Sequence, residues 1–223
     1  MIRSILLKEW IKTRWVVIGI FIALTAYTCY EVMNIFHAFR YNGTMSLWEM
    51  IIQKDYTLVG GFKYVPVAIG IVLSLFQMIP ELLHKRLKLT LHLPIARHKM
   101  IGYMIGYGLG ILTLSFILSI GTTMIILSQH FAIEILKAWT LAILPWIGAG
   151  YLSYLAMAWI AIEPTWKGRA IVLAIWFLLN HLFLYPSASQ AMVDMMPLHI
   201  VLLGLIGASI FYATIRFKEG KQA

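Results

Sequence analysis

The sequence predicts an all-α membrane protein with six transmembrane helices. Three observations carry this: an excess of apolar residues, their grouping into runs near bilayer length, and a lopsided distribution of basic residues. Of 223 residues, 61% are hydrophobic and 12% charged, which leaves too little polar surface for a water-soluble fold. A helix crossing the hydrocarbon core needs about 20 mostly apolar residues. Six such runs occur: Trp15 to Phe36, Tyr64 to Leu83, Met100 to Ser128, Thr140 to Ile162, Ala170 to Tyr185 and Leu198 to Ile215. An even number of crossings puts the N and C termini on one side. With that side cytoplasmic, 14 of the 18 Lys and Arg residues gather there, leaving Arg40, Lys54, Lys63 and Lys137 outside, as the positive-inside rule demands. No internal repeat or linker divides the chain, so residues 1–223 read as one membrane domain.

The formal charge of +9 is therefore a topology signal. A nucleic-acid partner would need those cations on a soluble domain, and no run is polar enough to form one. The single cysteine, Cys29, lies within the first run, so neither an intramolecular disulfide nor a thiolate metal cluster is available. No HExxH, GxSxG or paired-carboxylate constellation is present, and the reading is a non-enzyme.

Residues 1–14 form the first element. Ile2, Ile5, Leu6 and Trp10 share one arc of a helical wheel, and Ser4, Lys8 and Lys12 the other, with Glu9 intruding. This pattern suits an interfacial helix on the cytoplasmic leaflet, or a basic lead into the first span. That span is too long for a signal-peptide core and lacks a convincing cleavage site, so it reads as retained. In the outer connection, Ser46 and Glu49 have capping-box spacing and predict a short helix, while Asn42-Gly43 predicts a turn. Gln129 to Trp139 predicts one or two interfacial turns. Gly102, Gly106 and Gly110 put a small-residue stripe on span three, where another helix could approach closely. Pro145 and Gly148 to Gly150 predict either a kink or a close crossing in span four. Trp10, Trp15, Trp139 and Trp166 fall near span ends, where amphipathic rings settle at headgroup depth.

The segment between spans two and three carries most chemistry. From Glu81 to Lys99 it is both cationic (Lys85, Arg86, Lys88, Arg97) and greasy, with Leu87, Leu89, Leu91 and Leu93 at alternate positions. Apolar side chains on a cytoplasmic loop call for burial against a partner or the membrane surface. Glu81, Thr90-Leu91 and Pro94-Ile95-Ala96-Arg97, followed by Lys99 and Gly102, resemble in order the inner loop of the permease subunits of type-2 ABC exporters. Those proteins share the six-span topology and the N-terminal interfacial helix, and commonly carry Gly where this chain has Leu89.

The resemblance implies a short coupling helix within residues 84–99, ending before Pro94, although the leucine alternation also fits a strand. It implies that Glu81, Lys85, Arg86, Thr90, Leu91, Pro94, Ile95 and Arg97 receive the motion of a separate ATPase, with Lys167 and Arg169 of the second inner loop touching the same partner. No GxxxxGK[ST] loop exists in this chain, so ATP and Mg would be bound by the partner and no cofactor by this chain. Two ATPase copies, a second permease (identical or related), surrounding membrane lipid, export as the direction and a bacterial inner-membrane location are likewise implied.

Polar side chains within spans are costly in hydrocarbon unless they face protein or water. Ser74 and Gln77 on span two and Asn180 and His181 on span five are thus pathway candidates, with Phe76 and Trp176 beside them as packing residues. Helix–helix hydrogen bonding explains each polar residue equally well. The scarcity of fixed charge fits an amphiphilic or hydrophobic cargo. Two other functions fit the same hydropathy: an ATPase-independent channel, secondary transporter or assembly factor, and a haem- or quinone-binding subunit using His181 and His199.

Overall fold

The computed structural model describes residues 2–43, 60–83, 97–185 and 194–218. They form six long α-helices: α1 (Ile2–Asn42), α2 (Tyr64–Leu83), α3 (Arg97–Ser128), α4 (Ile133–Ile162), α5 (Trp166–Phe183) and α6 (Met196–Lys218), with a 3-10 turn at Gly60–Lys63 leading into α2. No strand occurs among the described residues. Five of the helices, α1, α2, α3, α4 and α6, are long and apolar enough to cross a membrane. The fifth predicted span, α5, has 18 residues and falls outside that group.

Side-chain contacts set the helix directions. Lys8 meets Glu81 at one end of α1 and α2, and Tyr27 meets Phe62 toward the other, so the two run antiparallel. Thr13 pairs with Tyr107 and Thr28 with Ser119, which makes α1 and α3 parallel. Gln77–Tyr154 and Phe62–Trp146 contacts make α2 and α4 parallel. Glu163 reaches Arg216 where α4 and α6 end. Ile2, Glu81, Glu163 and Arg216 therefore share one end of the bundle, the basal end, and Asn42, Ser128 and Met196 lie at the other.

The central helix is α4, which packs against α2, α5, α6 and α3. Its Leu152, Tyr154, Ala158 and Ile162 join Leu73, Leu112, Phe183 and Ile210 in the main core. Two glycines set the α2–α4 distance: a Cβ at Gly70 would strike the Gly150 carbonyl oxygen, and one at Gly150 would come within 2.9 Å of Pro66. Such backbone proximity maximises dispersion contact where lipid supplies no hydrophobic drive. The close crossing expected of span four is thus observed, and α4 continues through Pro145 as one helix.

Several boundaries move. The N-terminal interfacial helix is not a separate element, because α1 runs 41 residues without a break, about 60 Å long against a hydrocarbon core of about 30 Å. No Pro or Gly separates residues 1–14 from the span to end the helix there. The termination comes at Gly43, whose φ of 74° is the left-handed stop for which glycine is favoured. The segment at 129–132 shrinks to one turn, and α4 starts at Ile133, so Glu134 and Lys137 belong to its first turns. Thr165 caps α5 by accepting from the Gly168 N–H at 3.1 Å, which begins this helix four residues earlier than hydropathy indicates. The predicted helix at Ser46–Glu49 lies outside the described residues.

The glycine stripe on α3 also plays a different part. Gly106 and Gly110 have nothing within 4 Å of a built Cβ, and Gly102 meets only the tip of Phe211 at 4.0 Å. With Gly204 and Gly207 of α6, Gly102 and Gly106 line an open cleft of about 550 Å³. The α3 glycine that permits a close approach is Gly108, off that stripe.

Candidate functional site

Near the basal end, the amphipathic start of α1 faces inward with its charged side. Lys8 Nζ lies 2.9 and 3.0 Å from the two carboxylate oxygens of Glu81. Lys12 Nζ bridges both acids, 2.8 Å from Glu9 and 3.2 Å from Glu81. The carboxylates are buried, Glu9 fully and Glu81 to 1% exposure, while Lys8 keeps 38% of its side chain exposed. Two cations and two anions make the cluster neutral. Neutrality and a complete set of bonds are what allow charges to sit in a low-dielectric interior.

From Glu9 a neutral hydrogen-bond chain enters the bundle. Gln77 donates to Glu9 Oε2 at 3.0 Å and to the Met104 carbonyl at 2.8 Å. The Tyr154 hydroxyl donates to Gln77 Oε1 at 2.7 Å. Thr13 pairs with the Tyr107 hydroxyl at 2.8 Å. Tyr154 reaches Gln77 because position 108 is glycine; a Cβ there would collide with the phenol oxygen. One connected network thus joins α1, α2, α3 and α4, and its α2 members Gln77 and Glu81 sit one helical turn apart, directly before the cationic loop.

A second basal knot joins α4, α5 and α6. Glu163, 2% exposed, pairs with Arg216 at 3.1 Å and accepts from the Thr165 hydroxyl at 3.2 Å. Arg169 Nε donates to the Glu163 carbonyl at 2.9 Å, and its guanidinium lies 5.8 Å from the Trp166 ring centre. Along the α4–α5 seam, Trp176 Nε1 donates to Ser153 Oγ at 3.1 Å, and Ser153 donates to Asn180 Oδ1 at 3.3 Å. At the far end the Tyr27 hydroxyl donates to the buried Glu31 carboxylate.

The residues singled out from sequence are distributed as follows. Glu81 lies at the centre of the ionic cluster. Lys85, Arg86, Thr90, Leu91, Pro94 and Ile95 lie outside the described residues, as does the expected coupling helix; Arg97 is the first residue of α3. Lys167 is exposed and Arg169 belongs to the Glu163 knot. Gln77 is fully buried and spent on helix–helix bonds, and Asn180 and Trp176 are engaged with Ser153. Ser74 is fully buried with no partner for its hydroxyl among the described residues. Phe76 and His181 point out of the bundle. His199 is buried, its ring 4.1 Å from that of Phe183, and neither nitrogen has a described partner.

Sequence reading placed Lys8 and Lys12 on the polar arc of an interfacial helix, took Glu9 as an intrusion there, and left out Thr13, Tyr107 and Tyr154. The outward face of this segment carries Leu7, Trp10, Ile11 and Trp15 instead. A signal existed: Lys8 and Lys12 share their spacing with Gln77 and Glu81, and a lone Glu among cations in an apolar helix calls for a buried partner. No group of three or more metal-ligating side chains occurs among the described residues. No family model, curated protein or solved structure matches the chain.

Proposed function

We propose that this chain is the membrane-spanning permease subunit of an ATP-binding cassette transporter, exporting an amphiphilic or hydrophobic cargo across a bacterial cytoplasmic membrane. A separate ATPase, present in two copies and holding ATP and Mg, drives it together with a second permease. The reading rests on the inner-loop resemblance, and one structural observation supports it: the residue that opens the loop motif, Glu81, is ion-paired to α1 two residues before α2 ends.

Mechanically, this cross-tie stands where a push on the segment between α2 and α3 would arrive. Displacement of the end of α2 is passed to α1 through Lys8 and Lys12, and to α3 and α4 through Gln77 and Tyr154. Bonds between buried charged and amide groups are short and directional, so they transmit a shift that loosely packed leucines would absorb. The exposed Trp166–Lys167 corner, braced from behind by Glu163, would form the second contact with the same ATPase.

The test is purification of the native protein in mild detergent, with identification of co-purifying chains. A stoichiometric partner bearing a GxxxxGK[ST] loop is the expected result. Native isolates free of any nucleotide-binding chain would overturn the assignment.

A further inference from the structure

Between α1 and α3, away from the ionic cluster, the bundle leaves a lateral cleft of about 630 Å³ whose walls include Phe21, Leu24, Val32, Leu118 and Ile126. No described helix crosses it. The cleft also carries hydroxyl groups, but these are already occupied. Thr25 donates to the Phe21 carbonyl, Thr122 to Leu118, and Thr28 and Ser119 bond each other at 2.8 Å across the floor. The cleft therefore offers mostly shape and apolar surface to whatever fills it.

Its dimensions and surroundings indicate the occupant. Both walls are helices of membrane-spanning length, so bilayer hydrocarbon is what reaches them. From Phe21 to Met33 the wall rises about 18 Å, close to half of the roughly 30 Å hydrocarbon core, the depth of one leaflet. One helical turn past Met33 and Ile126, at the mouth, come His37 and His130, followed by Arg40. All three are exposed, and Arg40 forms no ion pair with a described residue. Of the described carboxylates at this end, Glu31 is turned to Tyr27 on the bundle side, Glu134 is on the first turn of α4, and Asp194 is exposed just before α6. Aromatic contacts of Phe36 and Phe39 with Phe131 close the top of the α1–α3 seam.

We propose that this cleft is a binding site for a single phospholipid, one acyl chain lying along Phe21–Met33 and its phosphate meeting Arg40, His37 and His130. The site is independent of the ionic cluster and of any ATPase partner.

Native mass spectrometry of the full chain in mild detergent tests it. The expected result is one retained phospholipid per chain, lost in Thr25→Phe and Thr122→Phe, whose rings fill the cleft. No retained lipid in the wild type, or unchanged retention in both variants while they keep their helical circular dichroism, overturns the proposal. Cys29, exposed in the wall, gives a second readout without core mutation. After lipid stripping into an alkyl maltoside, N-ethylmaleimide should alkylate it, phosphatidylglycerol should suppress the reaction, and Arg40→Gln should relieve the suppression. A thiol unreactive before lipid is returned would assign the cleft to detergent or to residues 44–59. That result, or alkylation unaffected by phosphatidylglycerol, overturns the proposal as well.

Discussion

The Tyr154 hydroxyl donates a 2.7 Å hydrogen bond to Gln77 Oε1, and both side chains are wholly buried. That bond joins the central helix α4 to α2, and Gln77 passes the connection to α1 and α3. Tyr154→Phe keeps the ring and leaves Gln77 Oε1 without a donor, at an expected cost of about 1–3 kcal/mol. Gly108→Ala, which pushes a methyl group into the phenol oxygen, should cost about 1–3 kcal/mol by overpacking. Thermal unfolding in detergent measures both; wild-type melting of Tyr154→Phe would show the bond to be energetically idle.

The two lysines of the cluster should not be equivalent. Lys8→Met removes a partly exposed, solvent-screened cation and leaves Glu81 paired to Lys12; the cluster then carries one unbalanced charge, and the loss should be the smaller of the two, about 1–2 kcal/mol. Lys12→Met leaves the fully buried Glu9 with no cation, for which about 3–5 kcal/mol is expected. The double variant Lys12→Met, Glu9→Gln should recover much of that loss, because a neutral amide needs no counter-charge. Equal destabilisation by the two single variants would contradict the burial asymmetry.

Thr165 is the N-cap of α5 and also donates to Glu163. Thr165→Ala should weaken this end of the helix by about 1 kcal/mol and speed tryptic cleavage after Lys167 and Arg169. Cleavage at the wild-type rate would show that the Arg216–Glu163 pair holds the corner unaided.

Six crossings, α5 included, require Lys167 and Lys218 to face one compartment and Gln129 the other. In a variant lacking Cys29, single cysteines at these three positions should label with an impermeant maleimide from opposite sides of sealed vesicles. Labelling of positions 167 and 218 from opposite sides would remove α5 from the spans.

Within the proposed transporter, Glu81→Ala and Leu91→Asp should reduce ATPase stimulation and transport while leaving membrane insertion unchanged. Their full activity would detach function from the basal joint.

Hydropathy made much of the fold legible. The α2 limits coincide with the apolar run, and α3 and α6 lie within a few residues of theirs, because lipid forces each span to satisfy its own backbone and to show an apolar surface. The short α5 is the weakest case: Asn180 and His181 dilute its apolar run, and its start is set by the Thr165 cap, a hydrogen bond that hydropathy does not register. The break expected after residue 14 is missing for a related reason, since a charged segment need not leave the helix when its charges find partners inside the bundle.

The sequence alone determined that this chain is helical and apolar enough for several membrane-spanning helices, since those properties follow from composition and periodicity residue by residue. Only the tertiary structure decided which face of α1 is buried, that Glu9 and Glu81 share Lys12, and that Gly108 rather than the glycine stripe admits a neighbour. Those outcomes depend on which helix lies across from which. Pairing between segments some 70 residues apart is fixed by packing and by the mutual neutralisation of buried charges, and no local pattern along one strand of sequence encodes it.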